Sequence, residues 1–180
     1  EGGVEKVQSF VLTVDGKPAE YKLGAVLTGK RIEYQKVSIQ DNLKVYVKVA
    51  ITKDGIRLDK HFEALDKQKI YSFYIFQYCF TGKTREWLIG RPDGTFADGV
   101  FKSDKGWHLR REREILWFSQ FDPAVEKGII GYFISYFPKQ GRYMFWDLQR
   151  YHKFYFWANL PKVVPKGMKS PHYAMFLKGF

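Results

Sequence analysis

The stretch YSFYIFQYCF, residues 71–80, carries six aromatic side chains in ten positions. Read as an extended strand, its side chains alternate between two faces. One face would hold Tyr71, Phe73, Ile75, Gln77 and Cys79, and the other Ser72, Tyr74, Phe76, Tyr78 and Phe80. Both faces are apolar, which predicts a central strand covered on both sides, with most of its rings in the core and one face feeding an aromatic groove. Residues 129–137, IIGYFISYF, read the same way. So do residues 151–157, YHKFYFW, where Tyr151, Lys153, Tyr155 and Trp157 alternate with His152, Phe154 and Phe156.

The period-two pattern extends outward from these runs. Further strands are expected at 7–14, 44–51, 56–62, 85–89, 114–121, 142–147 and 172–178. They are punctuated by Asp15-Gly16-Lys17-Pro18, Lys53-Asp54-Gly55, Arg91-Pro92-Asp93-Gly94, Asp122-Pro123 and Pro138. Many short strands with turn signals every ~8–12 residues indicate an all-β sandwich or barrel. The expectation is one large, mainly antiparallel β-sandwich domain over residues 1–180, with little helix. Residues 60–69 are the one helix candidate, and they lack a cap and a clear apolar stripe.

Composition narrows the function classes. With 45% hydrophobic residues the chain can bury a core, and at 18% aromatic residues it has rings to spare for a ligand. Lys and Arg number 30 against 19 Asp and Glu, a formal charge of +11, which favours anionic partners. Its single cysteine, Cys79, excludes an internal disulfide and reads as a buried, inert thiol. The four histidines show neither HxH nor HExxH spacing, so no metal and no cofactor are expected. Gly82-Lys83-Thr84 lacks the first glycine of a phosphate loop, and no G-x-S-x-G elbow occurs. No apolar run reaches the ~18 residues of a membrane helix. The Glu-Gly-Gly start reads as a trimmed or mature end, with a secreted or cell-surface location favoured. Sparse Asn beside plentiful Lys, Glu and Tyr fits a thermophile.

Aromatic and basic residues interleave at Trp87 with Arg85 and Arg91, at Trp107 with Lys105 and Arg110, and at Trp146 with Arg142 and Arg150. Rings stack on the apolar faces of sugars or on bases, and guanidinium or ammonium groups bond hydroxyls or anions. The candidate ligand-binding residues are Tyr74, Gln77, Tyr78, Trp87, Trp107, Arg110, Trp146, Arg150 and Trp157. His152, in a strand between Tyr151 and Lys153, is the candidate general base. Its alternative is a satisfied structural histidine. Asp93, Asp98 and Asp104 read first as turn residues, Asp122 as a turn initiator, and Asp147 less readily so.

Trp117, Asp122, Pro123 and Gly128 within WFSQFDPAVEKGIIGYFI (117–134), with Pro165 and Gly167 in the final YHKFYFWANLPKVVPKGMKSPHYAMFLKGF (151–180), form an ordered pattern. It resembles the galactose-mutarotase-like supersandwich domains of epimerases and polysaccharide lyases. The resemblance implies a supersandwich that binds or processes a carbohydrate, an acidic polysaccharide given the basic charge. As an enzyme it would be a lyase or epimerase abstracting a proton, with His152 or a tyrosine as base and a basic side chain steadying the carboxylate charge. The family's catalytic histidine and carboxylate map onto no position here. Two other readings stand beside it: a module for single-stranded nucleic acid, and a structural β domain of a coat or surface layer.

Overall fold

The computed structural model describes residues 4–71, 73–102, 106–112, 114–135, 141–148 and 150–180, with the side chains of Trp107, Leu109, Arg110 and Arg111 excepted. Among these residues there are sixteen β-strands and no helix. The fold is an all-β, antiparallel, sandwich-like one, and no helix is long and apolar enough to cross a membrane. The chain forms two compact units, residues 1–69 with 162–176, and residues 70–161 with 177–180.

The first unit is a meander of long strands: β1 (Glu5–Val14), β2 (Lys17–Pro18), β3 (Arg31–Gln40), β4 (Leu43–Thr52), β5 (Gly55–Ala64) and the short β6 (Gln68–Lys69). Consecutive strands pair antiparallel, in the order β2-β1-β3-β4-β5. The turns follow the sequence signals. Asp15 and Gly16 sit at φ 50° and 79° between paired Val14 and Lys17, the left-handed conformation a two-residue hairpin loop requires. Leu43, Val45, Val49, Phe62 and Ala64 fill the buried side of this sheet. The opposite side of β3–β5 is polar. β3 was not anticipated, because Arg31, Glu33, Lys36 and Gln35 spread charge and polarity over both of its faces.

The second unit is a two-layer sandwich. Its strands are β7 (Tyr74–Thr81), β8 (Glu86–Gly90), β9 (Phe96–Val100), β10 (Trp107–Glu112), β11 (Trp117–Asp122), β12 (Lys127–Phe133), β13 (Gly141–Leu148) and β14 (Tyr151–Ala158). The chain then returns to the first unit with β15 (Val163–Val164), which pairs with β6, and ends in β16 (Tyr173–Gly179). One layer of the second unit contains β12-β11-β8-β9, the other β10-β13-β14-β7. Rings from both layers interlock: Phe118 stacks on Phe154 at 3.8 Å and meets Phe145 edge-on at 6.0 Å. Each fully buried Phe is worth ~1.5–3 kcal/mol of transfer free energy, so this ring cluster is the main source of cohesion between the layers.

The structure corrects several expectations. Residues 74–81 form the edge of the four-stranded layer rather than a central strand. The register passes from Phe156↔Phe76 to Trp157↔Tyr74, leaving Ile75 as an extra, bulged residue. Tyr74 therefore shares a side with Gln77 and not with Phe76. Cys79 is exposed, because its parity puts it on the outer side with Gln77. The 129–137 run is not covered on both sides: Tyr132 and Ile134 are exposed at 41% and 44%. The stretch expected to be a loop at 91–106 contains β9, where Asp98-Gly99 is strand, not turn. A Cβ on Gly99 would lie 2.4 Å from the Trp87 indole, so glycine is needed there for close approach of the ring.

Candidate functional site

Strand β14 separates two environments, residue by residue. Its even-numbered side chains point between the layers. His152 is fully buried, its ring stacked at 4.0 Å and 6° on Phe101, with Nδ1 3.1 Å from Asp147 Oδ1. Asp147, also fully buried, accepts the Lys102 backbone N–H on Oδ2 at 2.7 Å, and His108 Nε2 lies 3.4 Å from that same oxygen. Burial pushes the His152 pKa below the ordinary histidine value, against the raising effect of the Asp147 charge and of hydrogen bonding to the backbone at Gly82 and Thr84. A ring with no exposed surface has no route to a substrate proton. This cluster ties β13 and β14 to the 82–84 turn and to the segment before β10. No group of three or more His, Cys, Asp or Glu among the described residues is arranged to hold a metal.

The odd-numbered side chains of β14 point the other way. Tyr151, Lys153, Tyr155 and Trp157 line one side of the sheet. The register places Tyr74, Gln77 and Cys79 of β7 on their one flank and Arg142, Met144 and Trp146 of β13 on the other. Tyr74 packs 4.9 Å from Tyr155 and 6.0 Å from Trp157, and the Arg142 guanidinium lies 5.8 Å from the Trp157 ring. The Lys153 ammonium lies 4.9 Å from the Tyr151 ring centre and 5.9 Å from that of Tyr155. Burial alone would lower the Lys153 pKa, but interaction with Tyr155 and hydrogen bonds to Tyr151 and Tyr155 outweigh it and hold it above the ordinary lysine value. Tyr155 is pushed up by its own burial, partly offset by Lys153. Lys153 is thus a cation framed by rings, and Tyr155 keeps its proton at neutral pH.

Of the residues named from the sequence, Tyr74, Gln77, Trp146 and Trp157 come together on this outer side. Arg150 is exposed in the turn between β13 and β14. Tyr78, His152 and Trp87 point inward, Trp87 being 8% exposed and 5.6 Å from Phe145. Trp107 and Arg110 belong to β10, where Trp107 pairs with Trp146, but their side chains lie outside the described residues. Tyr151, Lys153, Tyr155 and Arg142 were missing from the sequence-derived set. Their signal was the parity of YHKFYFW, which groups Lys153 with three rings once His152 is assigned inward.

No protein-family model matches the sequence, and no curated protein matches it. Solved structures do match. The GH36 α-galactosidase AgaB of Geobacillus stearothermophilus superimposes with a TM-score of 0.66 at 10% identity, over 99% of this chain and 28% of that one. AgaA of the same organism gives 0.66 at 10% identity with the same coverage. A galactose mutarotase-like protein from Lactobacillus casei gives 0.55 at 10% identity, over 87% of this chain and 72% of that one. The fold is galactose-mutarotase-like. At this identity the likeness concerns the supersandwich fold alone, and the chain spans little more than a quarter of the α-galactosidases it resembles.

Proposed function

We propose that the chain is a carbohydrate-binding supersandwich domain whose ligand lies on the outer side of β7, β14 and β13. The observation that carries this reading is the placement of half-buried Lys153 beside Tyr151 and over the buried Tyr155, with the partly exposed rings of Trp157, Tyr74 and Trp146 on the same side. Rings of this kind stack on the apolar face of a pyranose, and tyrosine and tryptophan keep a polar edge for its hydroxyls. A lysine held charged at the centre selects a carboxylate-bearing sugar over a neutral one. The mutarotase-like fold supports a saccharide ligand, since the similar structures are described as α-galactosidases and a mutarotase-like protein.

Binding is favoured over turnover. Proton abstraction from a sugar needs a base that the substrate can reach. His152 is enclosed, Lys153 is held protonated, and Tyr155 is shifted away from the anionic form. Lys153 therefore serves to hold a carboxylate.

The test is intrinsic tryptophan fluorescence titrated with oligogalacturonate, a neutral galacto-oligosaccharide and single-stranded DNA, at low and high salt. A saturable, mildly salt-sensitive response to oligogalacturonate that Trp157→Ala weakens by about tenfold is expected, on the ~1–3 kcal/mol scale of ring stacking. A response confined to DNA and abolished by salt would replace the reading with nucleic-acid binding. No response to any of the three would leave the structural role standing.

A further inference from the structure

The first unit carries a cleft that the sugar-binding reading does not use. It has a volume of about 530 Å³ and opens over the polar side of β3, β4 and β5. Its geometry follows from register. Tyr46 pairs with His61, Lys48 with Asp59, and Ala50 with Arg57, so these six side chains share one face. Gln35 lies across from Lys48, and Arg31 from Thr52, on the β3 flank. Ala50, the smallest of the row, leaves a dip in the middle, with Arg57 beside it.

His172 reaches the cleft because the preceding segment runs along the edge of β5 that faces away from β4. Gly167 N–H donates to the Ala64 carbonyl at 2.8 Å, Ala64 N–H to Met168 at 2.9 Å, and Ser170 N–H to Phe62 at 2.9 Å. Ser170 is buried, and its hydroxyl accepts the Phe62 N–H at 2.9 Å and donates to the Pro171 carbonyl, fixing the segment just before His172. The outcome is a column of three rings. Tyr46 and His61 stack at 4.5 Å and 7°, and His61 and His172 lie 4.0 Å apart.

The cations of the cleft are oriented by carboxylates without being used up. Arg57 donates from Nε and Nη2 to Asp59 at 2.9 and 3.0 Å, and Arg31 from Nη2 to Glu33 at 2.9 Å. A guanidinium has five N–H donors, and both side chains are about half exposed, so each keeps donors for a ligand. Lys48, 3.3 Å from Glu33, adds a third cation.

We propose that this cleft is a proton-coupled binding site for a small ligand bearing an oxyanion: a carboxylate, a sulfate or a phosphate ester. Arg57, Arg31 and Lys48 hold the anionic group, and His61 and His172 bind its far side. Two imidazoles at 4.0 Å resist protonation together, because the second charge is placed against the first. Burial and the neighbouring His172 accordingly hold His61 below the ordinary histidine value. An anion at their edges offsets that repulsion, so binding draws a proton onto the pair. By linkage, affinity then rises as pH falls through the histidine range. The other charged and titratable groups around the cleft are Arg31, Glu33 and Lys36 of β3; Lys44, Tyr46 and Lys48 of β4; Arg57, Asp59 and Glu63 of β5; and Lys169 of the flanking segment, whose backbone forms a β-bridge with Glu63. His61, packed against His172, is the titrating element of the proposal.

The experiment follows the imidazole ring signals of His61 and His172 by NMR while inorganic sulfate, or separately a hexuronate disaccharide, is added at about pH 5.5 and about pH 8, either side of the ordinary histidine value. Saturable shifts are expected in both rings, with binding about tenfold tighter at the lower pH and with the histidine pKa values raised by ligand. Arg57→Gln should weaken binding about tenfold through loss of its oriented fork. The double variant His61→Gln/His172→Gln should abolish the pH dependence. A response to sulfate and hexuronate alike would show that the oxyanion suffices, and a response to hexuronate alone that the sugar ring contributes. Ring signals and pKa values of the unmodified protein that ignore both ligands would overturn the proposal, as would a pH dependence that survives in the double variant. Trp157→Ala, on the other unit, should leave every one of these readings unchanged, so this site and the sugar face succeed or fail separately.

Discussion

Strand β14 places a histidine and a lysine one residue apart under opposite conditions. His152 lies inside, desolvated, with its pKa lowered; Lys153 lies outside, framed by tyrosines, with its pKa raised. Both are polar groups among rings, and both are held by partners. The difference is which form the partners favour. Enclosure penalises a charge, and the Asp147 carboxylate only partly restores it, so His152 works as a neutral strut. The hydroxyls around Lys153 stabilise its charge while the strand's outer side keeps a path to solvent. Adjacent residues of one strand thereby divide into an enclosed neutral side chain and a partly exposed charged one.

The most severe way to break this contrast is on the inner side. Asp147→Ala should cost about 2–4 kcal/mol in denaturant unfolding, because it leaves the Lys102 N–H and the buried His152 ring without their acceptor, at roughly 1–3 kcal/mol for each unsatisfied group. A loss under about 1 kcal/mol would show that the cluster does not hold the layers. Gly141→Ala comes next. A Cβ there would sit 2.4 Å from the Phe156 ring and 2.6 Å from the Trp157 carbonyl oxygen. A destabilisation of about 1–3 kcal/mol is expected, and an unchanged midpoint would mean that the β13–β14 ladder gives way more easily than its packing implies.

The pH dependence sharpens the contrast further. A histidine whose folded pKa lies below its unfolded value contributes stability that is complete above the unfolded value and is lost as pH falls through it. Unfolding midpoints should therefore decline as pH drops below about 6.5, and His152→Gln should flatten that slope. An identical slope in the variant would assign the titration to other groups. The mildest change is on the outer side. Lys153→Met should leave stability within about 1 kcal/mol while weakening oligogalacturonate binding about tenfold, in line with the loss of a charged hydrogen-bonding partner. Equal affinity for the variant and the parent would move the ligand away from this lysine.

Strand rhythm and turn chemistry made the all-β architecture legible in advance, since Asp15-Gly16, Asp54-Gly55 and Pro92-Asp93-Gly94 each close a hairpin where their conformational preferences require one. The mutarotase-like resemblance was legible for the same reason. β3 and β9 were hidden by charge on both faces in one case and by an Asp-Gly step in the other. Site residues were harder to read because parity alone does not say which side of a strand is open. Trp87 looked the same in sequence as Trp157, and the position of the second layer separates them; Tyr74 and Tyr78 share a parity, and the bulge at Ile75 turns them to opposite sides. The His61–His172 pair joins residues 111 positions apart and left no local signal.

The bulge at Ile75 makes the reading frame of β7 adjustable. Downstream of it, odd-numbered residues face the ligand side; upstream, Tyr74 does. A regular strand, with no bulge, would pair Ile75 with Trp157 and turn every residue before it to the other side. Tyr74 would then face the interior and Ile75 would stand beside Trp157. The one extra residue, and not side-chain chemistry, is therefore what sets Tyr74 beside Tyr155 and Trp157.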